Sequence, residues 1–221
     1  KERGVTTNKP VRELIGSLMY LTNTRPDIQS SVSLISRFMQ TPTEELWNAS
    51  INVLRYLIRT KEKALHLNGS NIDLIKCYTD SDYANEQGRK SQSGYVIKLG
   101  SSPVMWHSRK QTTVALSTTE AEIAAMTAGV TDAQWLRELL LELDFETTVE
   151  VLGDNKPSIQ MMKDQNTSHR NKHLDVKVWY LRDMATRKLI TIHHVPSQQQ
   201  VADALTKPVA RNHDISLLGL V

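Results

Sequence analysis

Near Ala64 the spacing of the apolar residues changes, and no fold built from one kind of secondary structure accommodates both sides of that change. Before it, apolar side chains recur at steps of three and four, the repeat of a single helix face. Residues 12–21 align Leu14, Leu18 and Leu21. Thr24-Arg25-Pro26-Asp27 then breaks the pattern, with Asp27 placed to cap a second helix carrying Val32, Ile35 and Met39. Thr41-Pro42-Thr43-Glu44-Glu45 starts a third helix, with a threonine cap and acids in the first turn where the helix dipole favours them. Trp47, Ile51, Leu54 and Ile58 supply its stripe. Nothing in this stretch carries chemistry, so it reads as a packing or docking element.

After Ala64 the runs shorten and turn residues bound them. Residues 74–79, 95–99 and 104–108 read as three strands of an antiparallel meander, with a turn at Gly100-Ser101-Ser102-Pro103. Residues 118–143 form the longest helical pattern, offering Ile123, Met126, Val130, Leu136, Leu139, Leu140 and Leu143 for burial. A strand at 150–152, helices at 156–163 and 174–187, a strand at 189–195 and a helix at 199–207 complete the order. A meander followed by crossover units predicts an α/β fold, a mixed five-stranded sheet covered by helices, preceded by the N-terminal helical segment. Trp106, Trp135 and Trp179 fall within these patterns and read as core.

Composition narrows the function. The single cysteine, Cys77, excludes an internal disulfide framework and a thiolate zinc cluster. No run reaches the ~18 apolar residues of a membrane helix. The opening residues also lack the apolar stretch of a signal peptide, so a soluble, intracellular chain is expected. With no initiator methionine, it reads as a piece of something longer. The net charge of +3 does not by itself announce nucleic-acid binding. Residues 1–66 hold 10 basic and 6 acidic side chains, and residues 67–221 hold 17 and 18. Neutralising four of the latter acids with bound cations would leave that part basic.

Four acids stand out by position. Asp80 ends the first predicted strand and Asp154 the fourth; Glu122 lies in the first turns of the long helix, and Asp203 in the last helix. Crossover sheets collect ligands beyond the carboxyl ends of their strands. Carboxylates gathered there repel one another and stay ionised only around a cation. All-oxygen donors select magnesium or manganese, and such sites support in-line phosphodiester cleavage by two ions. On spacing alone, each acid taken singly reads as a solvated surface residue.

The motifs around these acids make the reading specific. Tyr78-Thr79-Asp80-Ser81-Asp82-Tyr83-Ala84, Arg89-Lys90-Ser91-Gln92-Ser93-Gly94-Tyr95, Trp106-His107-Ser108-Arg109-Lys110-Gln111 and Leu116-Ser117-Thr118-Thr119-Glu120-Ala121-Glu122 occur in order. Asp154-Asn155-Lys156-Pro157-Ser158, His169-Arg170-Asn171-Lys172-His173-Leu174-Asp175 and Val201-Ala202-Asp203-Ala204-Leu205-Thr206-Lys207-Pro208 follow. Their order and spacing over residues 70–208 resemble the ribonuclease H domain of copia-type retrotransposon Pol polyproteins. Upstream, Arg12-Glu13-Leu14-Ile15-Gly16-Ser17-Leu18-Met19-Tyr20-Leu21, Thr24-Arg25-Pro26-Asp27-Ile28 and Val53-Leu54-Arg55-Tyr56-Leu57 resemble the end of the same polyprotein's reverse transcriptase.

The resemblance implies a ribonuclease H-like fold, with a helical reverse-transcriptase remnant (thumb- or connection-like) at 1–66, the nuclease domain at 67–210 and a C-terminal tail at 211–221. It implies hydrolysis of the RNA strand of RNA–DNA hybrids during reverse transcription, with Asp80, Glu122, Asp154 and Asp203 as catalytic residues holding two Mg2+ ions, or Mn2+. Glu120 competes with Glu122. It is about 200° away around the helix and better suited to the helix start. Asp82, read as lying past the strand end, is assigned an outer or structural role. Related enzymes carry a histidine that helps product leave in a loop before the last aspartate; this sequence departs there, with a short loop to Asp203, and His193 and His194 read as a half-exposed strand pair.

Hybrid recognition is expected through phosphates and 2′-hydroxyls. The candidates are Arg89, Lys90, Ser93, Arg109, Lys110, Gln111, Asn155, His169, Arg170, Lys172 and His173, with Ser91 and Gln92 beside them. His169 and His173 have helical metal-ligand spacing but no third nitrogen or sulfur ligand. The implied partners are the hybrid and the polyprotein's own reverse-transcriptase portion, with no membrane, in a cytoplasmic virus-like particle with a nuclear phase. The competing reading is a non-catalytic nucleic-acid-binding or scaffolding fragment. A strand-transfer enzyme would need glutamate last among the acids, and a polymerase would need acids upstream of residue 1.

Overall fold

The computed structural model describes residues 5–86, 88–163, 172–207 and 215–221, with backbone alone at 172, 173 and 215. The chain divides into two compact units, Lys1–His66 with Leu220–Val221, and Leu67–Gly219.

The first unit is helical: α1 (Val11–Leu21), α2 (Gln29–Ser36) and α3 (Glu44–Arg59). Val11, Ile15, Leu18, Ile28, Val32, Ile35, Leu46 and Leu57 are buried together. Thr43 caps α3, its Oγ1 accepting from the Leu46 amide, and Glu44 and Glu45 occupy the first turn. The buried face of α3 is Leu46, Ser50 and Leu57, whereas Ile58 is 62% exposed. The stripe expected through Trp47, Ile51, Leu54 and Ile58 is therefore rotated by about one residue. Asp27 does not cap a helix either. It accepts from Arg25 Nε at 3.0 Å, Arg25 Nη2 at 2.7 Å and the Tyr56 hydroxyl at 2.7 Å. A buried carboxylate gains more from a guanidinium fork than from the start of a short helix. Leu65 bridges to Leu220 in this unit.

The second unit holds the mixed sheet. Strands β1 (Leu74–Asp82), β2 (Gln92–Leu99) and β3 (Ser102–Lys110) form the antiparallel meander, followed by α4 (Thr118–Glu142), β4 (Thr148–Gly153), α5 (Lys156–Lys163), α6 (Lys172–Thr186), β5 (Thr191–His194) and α7 (Asp203–Thr206). The five strands lie in the order β3-β2-β1-β4-β5, with β1 parallel to β4 and β4 parallel to β5. This is the expected ribonuclease H-like architecture, with longer strands in the meander. β1 runs on through Ser81 and Asp82, which pair with Ser93 and Gln92, so Asp82 is within the strand rather than past it. The predicted helix at 199–207 is instead a 3-10 turn at Ser197–Gln199 and the single turn of α7.

Both faces of the sheet are covered. Alternation along β1 sends Ile75 and Cys77 into the main core with Ile123, Met126 and Val130 of α4 and Val178 and Leu181 of α6. Val96 of β2 serves a smaller cluster on Val201, Ala204, Leu205 and Leu218, with Tyr78 and Trp106 packed against it. Trp135 and Trp179 are 56% and 59% exposed, so neither is a core residue. Two glycines let helices press onto this sheet. A Cβ at Gly129 of α4 would meet Cys77 Sγ at 2.8 Å and Thr79 Cγ2 at 2.9 Å; one at Gly94 of β2 would meet Thr206 Cγ2 at 2.8 Å and Leu205 Cβ at 2.9 Å. These close approaches position the acids of α4 and α7. Among the described residues no helix is long and apolar enough to cross a membrane.

Candidate active site

The parallel pairing of β1 with β4 sets the first two acids. Tyr78 is paired with Leu152, and two residues further along each strand direction stand Asp80 and Asp154. Asp80 is not the last residue of β1, as the sequence suggested. It lies just beyond the part of β1 that pairs with β4, while β2 continues to pair on its other side.

Glu122 arrives from the second turn of α4. That helix starts with a reciprocal cap: Ser117 Oγ accepts from the Glu120 amide at 3.1 Å, and Glu120 Oε2 accepts from the Leu116 amide at 2.8 Å. Glu120 is thereby engaged at the helix start, and Glu122 faces the sheet. Asp80, Glu122 and Asp154 each offer an oxygen within 4.8 Å of the other two.

Each acid has its own donor. Glu122 Oε1 accepts from the Ser81 amide at 3.3 Å, and Asp154 Oδ2 accepts from Ser197 Oγ at 2.8 Å. Thr206 Oγ1 donates to Asp80, and Lys207 Nζ donates to Asp203. Gln200 Nε2 donates to the Thr79 carbonyl at 3.0 Å and the Leu152 carbonyl at 3.4 Å, fastening the loop before α7 to both acid-bearing strands. Ser197, Gln200, Thr206 and Lys207 had no assigned role from sequence. The four-residue step from Asp203 to Lys207 was the one available signal, since such pairs meet on a helix.

The electrostatics are those of a cluster short of positive charge. Burial raises the Asp80 carboxyl; the Thr206 hydroxyl and Lys207 work against this, and Asp203 and Asp154 add to it. Glu122 is pushed up to about 8, by burial first and then by Asp80, with the Ser81 contact opposing and Asp154 contributing. A hard divalent cation fits this site: the donors are carboxylate oxygens from three elements, and their mutual repulsion is what its charge would relieve.

Of the nucleic-acid candidates, Arg89 and Arg109 are exposed, and Lys90 and Lys110 half-buried. Arg109, Lys110 and Gln111 line a cavity of about 500 Å³ together with Tyr95, His107 and Asp132. Gln111 is a brace, its Nε2 donating to Ser93 Oγ and the Ala121 carbonyl, both at 2.9 Å. Asn155 starts α5, its Oδ1 accepting from the Ser158 amide at 2.8 Å. Ser91 and Gln92 are buried and bonded to Ala84 and Ser108, which removes them as readers of sugars. Asp82 accepts from Asn85 Nδ2 at 2.8 Å. His193 and His194 are both exposed at the end of β5. His169 and Arg170 lie outside the described residues; Lys172 and His173 open α6, with their side chains outside them.

A mixed sheet with three carboxylates gathered across the ends of its parallel strands defines a ribonuclease H-like protein. A family model described as reverse transcriptase-like matches residues 79–209. The chain is 36% identical over 215 residues to the retrovirus-related Pol polyprotein from transposon TNT 1-94 of Nicotiana tabacum, covering 96% of this chain and 16% of that polyprotein. The foamy viral protease-reverse transcriptase, solved in complex with RNA/DNA hybrid, covers 96% of this chain and 27% of its own at 14% identity and a TM-score of 0.55. LC11-RNase H1, isolated from compost, covers 60% of this chain and 92% of its own at 19% identity and a TM-score of 0.48. The chain belongs to the ribonuclease H-like family of copia-type retrotransposon Pol polyproteins and spans about a sixth of the tobacco relative's length.

Proposed function

We propose that this chain is a metal-dependent endoribonuclease that hydrolyses the RNA strand of RNA–DNA hybrids during retrotransposon reverse transcription. The observation that carries this reading is the meeting of Asp80, Glu122 and Asp154 within 4.8 Å, with Glu122 pushed up to about 8. A group so shifted holds its proton at neutral pH until a cation is supplied. Asp80, Glu122 and Asp154 would hold divalent ions, with Asp203 beside them. The chemistry supplied by two such ions, Mg2+ or Mn2+, would be activation of an attacking water and stabilisation of the leaving oxygen of a phosphodiester. Burial keeps bulk water from Asp80 and Glu122, and Ser197, Thr206 and the Ser81 amide hold Asp154, Asp80 and Glu122 in orientation.

Arg89, Lys90, Arg109 and Lys110, with the basic run that includes His169, Arg170, Lys172 and His173, would grip phosphates, a contact that weakens with salt. The helical unit would be the end of the polyprotein's reverse transcriptase. The foamy viral match, which spans nearly the whole chain, supports that reading.

The test is cleavage of an end-labelled RNA–DNA hybrid with and without Mg2+. Wild type should cut only with the ion, and Asp80→Asn or Asp154→Asn should lower the rate about a thousandfold or more while hybrid binding persists. Glu122→Gln should join them and Glu120→Gln should not. Salt-sensitive hybrid binding by folded wild type, with no Mg2+-dependent turnover, would overturn the nuclease reading in favour of a scaffolding fragment.

A further inference from the structure

Gln200 lies among the elements that carry the acids, and every polar atom it has is engaged. The residue is 2% exposed. Its side-chain Nε2 donates to the Thr79 carbonyl at 3.0 Å, immediately before Asp80, and to the Leu152 carbonyl at 3.4 Å, two residues before Asp154. Its Oε1 accepts from the Ala202 amide at 3.2 Å, and its main-chain carbonyl accepts from the Asp203 amide at 3.3 Å. Its own main-chain N–H donates to the carbonyl of Ser197, the residue whose hydroxyl meets Asp154.

The place matters as much as the bonds. The pairing of β1 with β4 ends at Tyr78 and Leu152, and Asp80 and Asp154 stand just past that end. There the gap between the two strands is no longer set by their own ladder, and one side-chain amide spans it with a proton for each strand. A primary amide suits this position because it offers two N–H donors and an acceptor with no net charge. An ionised glutamate of the same shape offers acceptors alone. It would turn a carboxylate towards two carbonyl oxygens and add a negative charge beside the acids. A methionine fills the same volume but leaves both carbonyls and the Ala202 amide without their partner, which in a buried place costs more than the bonds themselves.

We propose that Gln200 is a positioning residue that sets the spacing of Asp80 and Asp154 and fixes the entry of the turn that carries Asp203. This deepens the nuclease reading and rests on it. Gln200 acts through the backbones of β1, β4 and α7 rather than on the substrate. Misplacing reacting groups by about 1 Å costs on the order of a hundredfold in rate. The loss on removing the amide therefore falls on turnover and spares hybrid binding, which is assigned to other side chains.

The experiment measures kcat and KM of the full chain on an RNA–DNA hybrid with Mg2+, with circular dichroism and denaturant unfolding on the same samples. Gln200→Met should keep KM within about twofold and lower kcat at least about tenfold, and Gln200→Glu, closer in shape, should lower kcat about a hundredfold or more. Ile75→Val, a core change near the opposite end of β1, separates position from stability: it should lower the unfolding midpoint and keep the wild-type kcat. A folded Gln200→Met with wild-type kcat, or with a raised KM alone, would overturn this role and leave the nuclease reading standing. An equal loss of kcat in Ile75→Val would do the same, as would Gln200→Glu milder than Gln200→Met. Failure of both Gln200 variants to fold would make the residue a purely structural one and overturn the role as well. Wild type without Mg2+-dependent turnover would overturn both readings.

Discussion

Each compact unit buries an aspartate, and the two sit in opposite electrostatic company. Asp27, 6% exposed, faces the Arg25 guanidinium through two hydrogen bonds and the Tyr56 hydroxyl through a third; Arg25 in turn donates to the Thr60 carbonyl and hydroxyl. Arg25 is raised, chiefly by its bond to Asp27, and Tyr56 is pushed up to about 12 by burial and then by Asp27. Asp80, 2% exposed, has among the described residues one hydroxyl donor and three other acids nearby. The same chain that closes a buried charge completely in one place leaves a cluster of them open in another. A buried pair missing its partner normally costs several kcal/mol. An open cluster that survives such a cost has a use for the missing charge.

The comparison breaks most visibly if both aspartates are replaced in the same way. Asp27→Asn should cost about 3–5 kcal/mol in denaturant unfolding, since it strands the Arg25 guanidinium. Asp80→Asn should raise the stability of the metal-free protein, because it removes a charge from the repelling group. If both changes destabilise alike, the acid cluster is as well satisfied as the ion pair and the contrast fails.

Acid-base linkage sharpens the same point. Glu122 holds its proton to about pH 8 when folded and releases it near 4.5 when unfolded. Between those values the folded state binds the extra proton, so metal-free stability should fall as pH rises from about 4.5 and level off above about 8. The accumulated loss at pH 7 is on the order of 3 kcal/mol. Saturating Mg2+ should remove the slope, as should Glu122→Gln. A pH-independent melting temperature in chelator would contradict the shifted carboxyl.

The smallest effect separates the two neighbouring glutamates. Ser117→Ala removes the cap of α4 and should cost about 1 kcal/mol, with Mn2+ binding preserved. Loss of ion binding in that variant would mean that the helix start helps hold the site itself.

Sequence pattern reached furthest where structure is local. The meander, the bounds of α5 and the start of α4 follow from short apolar runs, turn residues and the acid Glu120 at the head of the long helical pattern. The four acids were legible through motif resemblance, and three of them do meet in space. What sequence did not reveal depends on partners far along the chain. Asp27 looks like a cap until Arg25 and Tyr56 are brought to it. Residues 199–207 look like one helix, but Gln200 turns its amide to the carbonyls of Thr79 and Leu152, and its backbone becomes extended. The wide spacing of apolar residues on α3 admits two faces, and packing selects Leu46 and Leu57 over Ile58. Trp135 and Trp179 fit helical patterns whose outer side they occupy.

The pairing of Tyr78 with Leu152 also constrains how this gene can change. One residue inserted or removed within either strand would displace one aspartate by about 3.3 Å and turn it to the opposite side of the pleat. Length variation among functional copies of the element should therefore accumulate in the connecting loops and leave the stretches from Leu74 to Asp80 and from Thr148 to Asp154 at constant length.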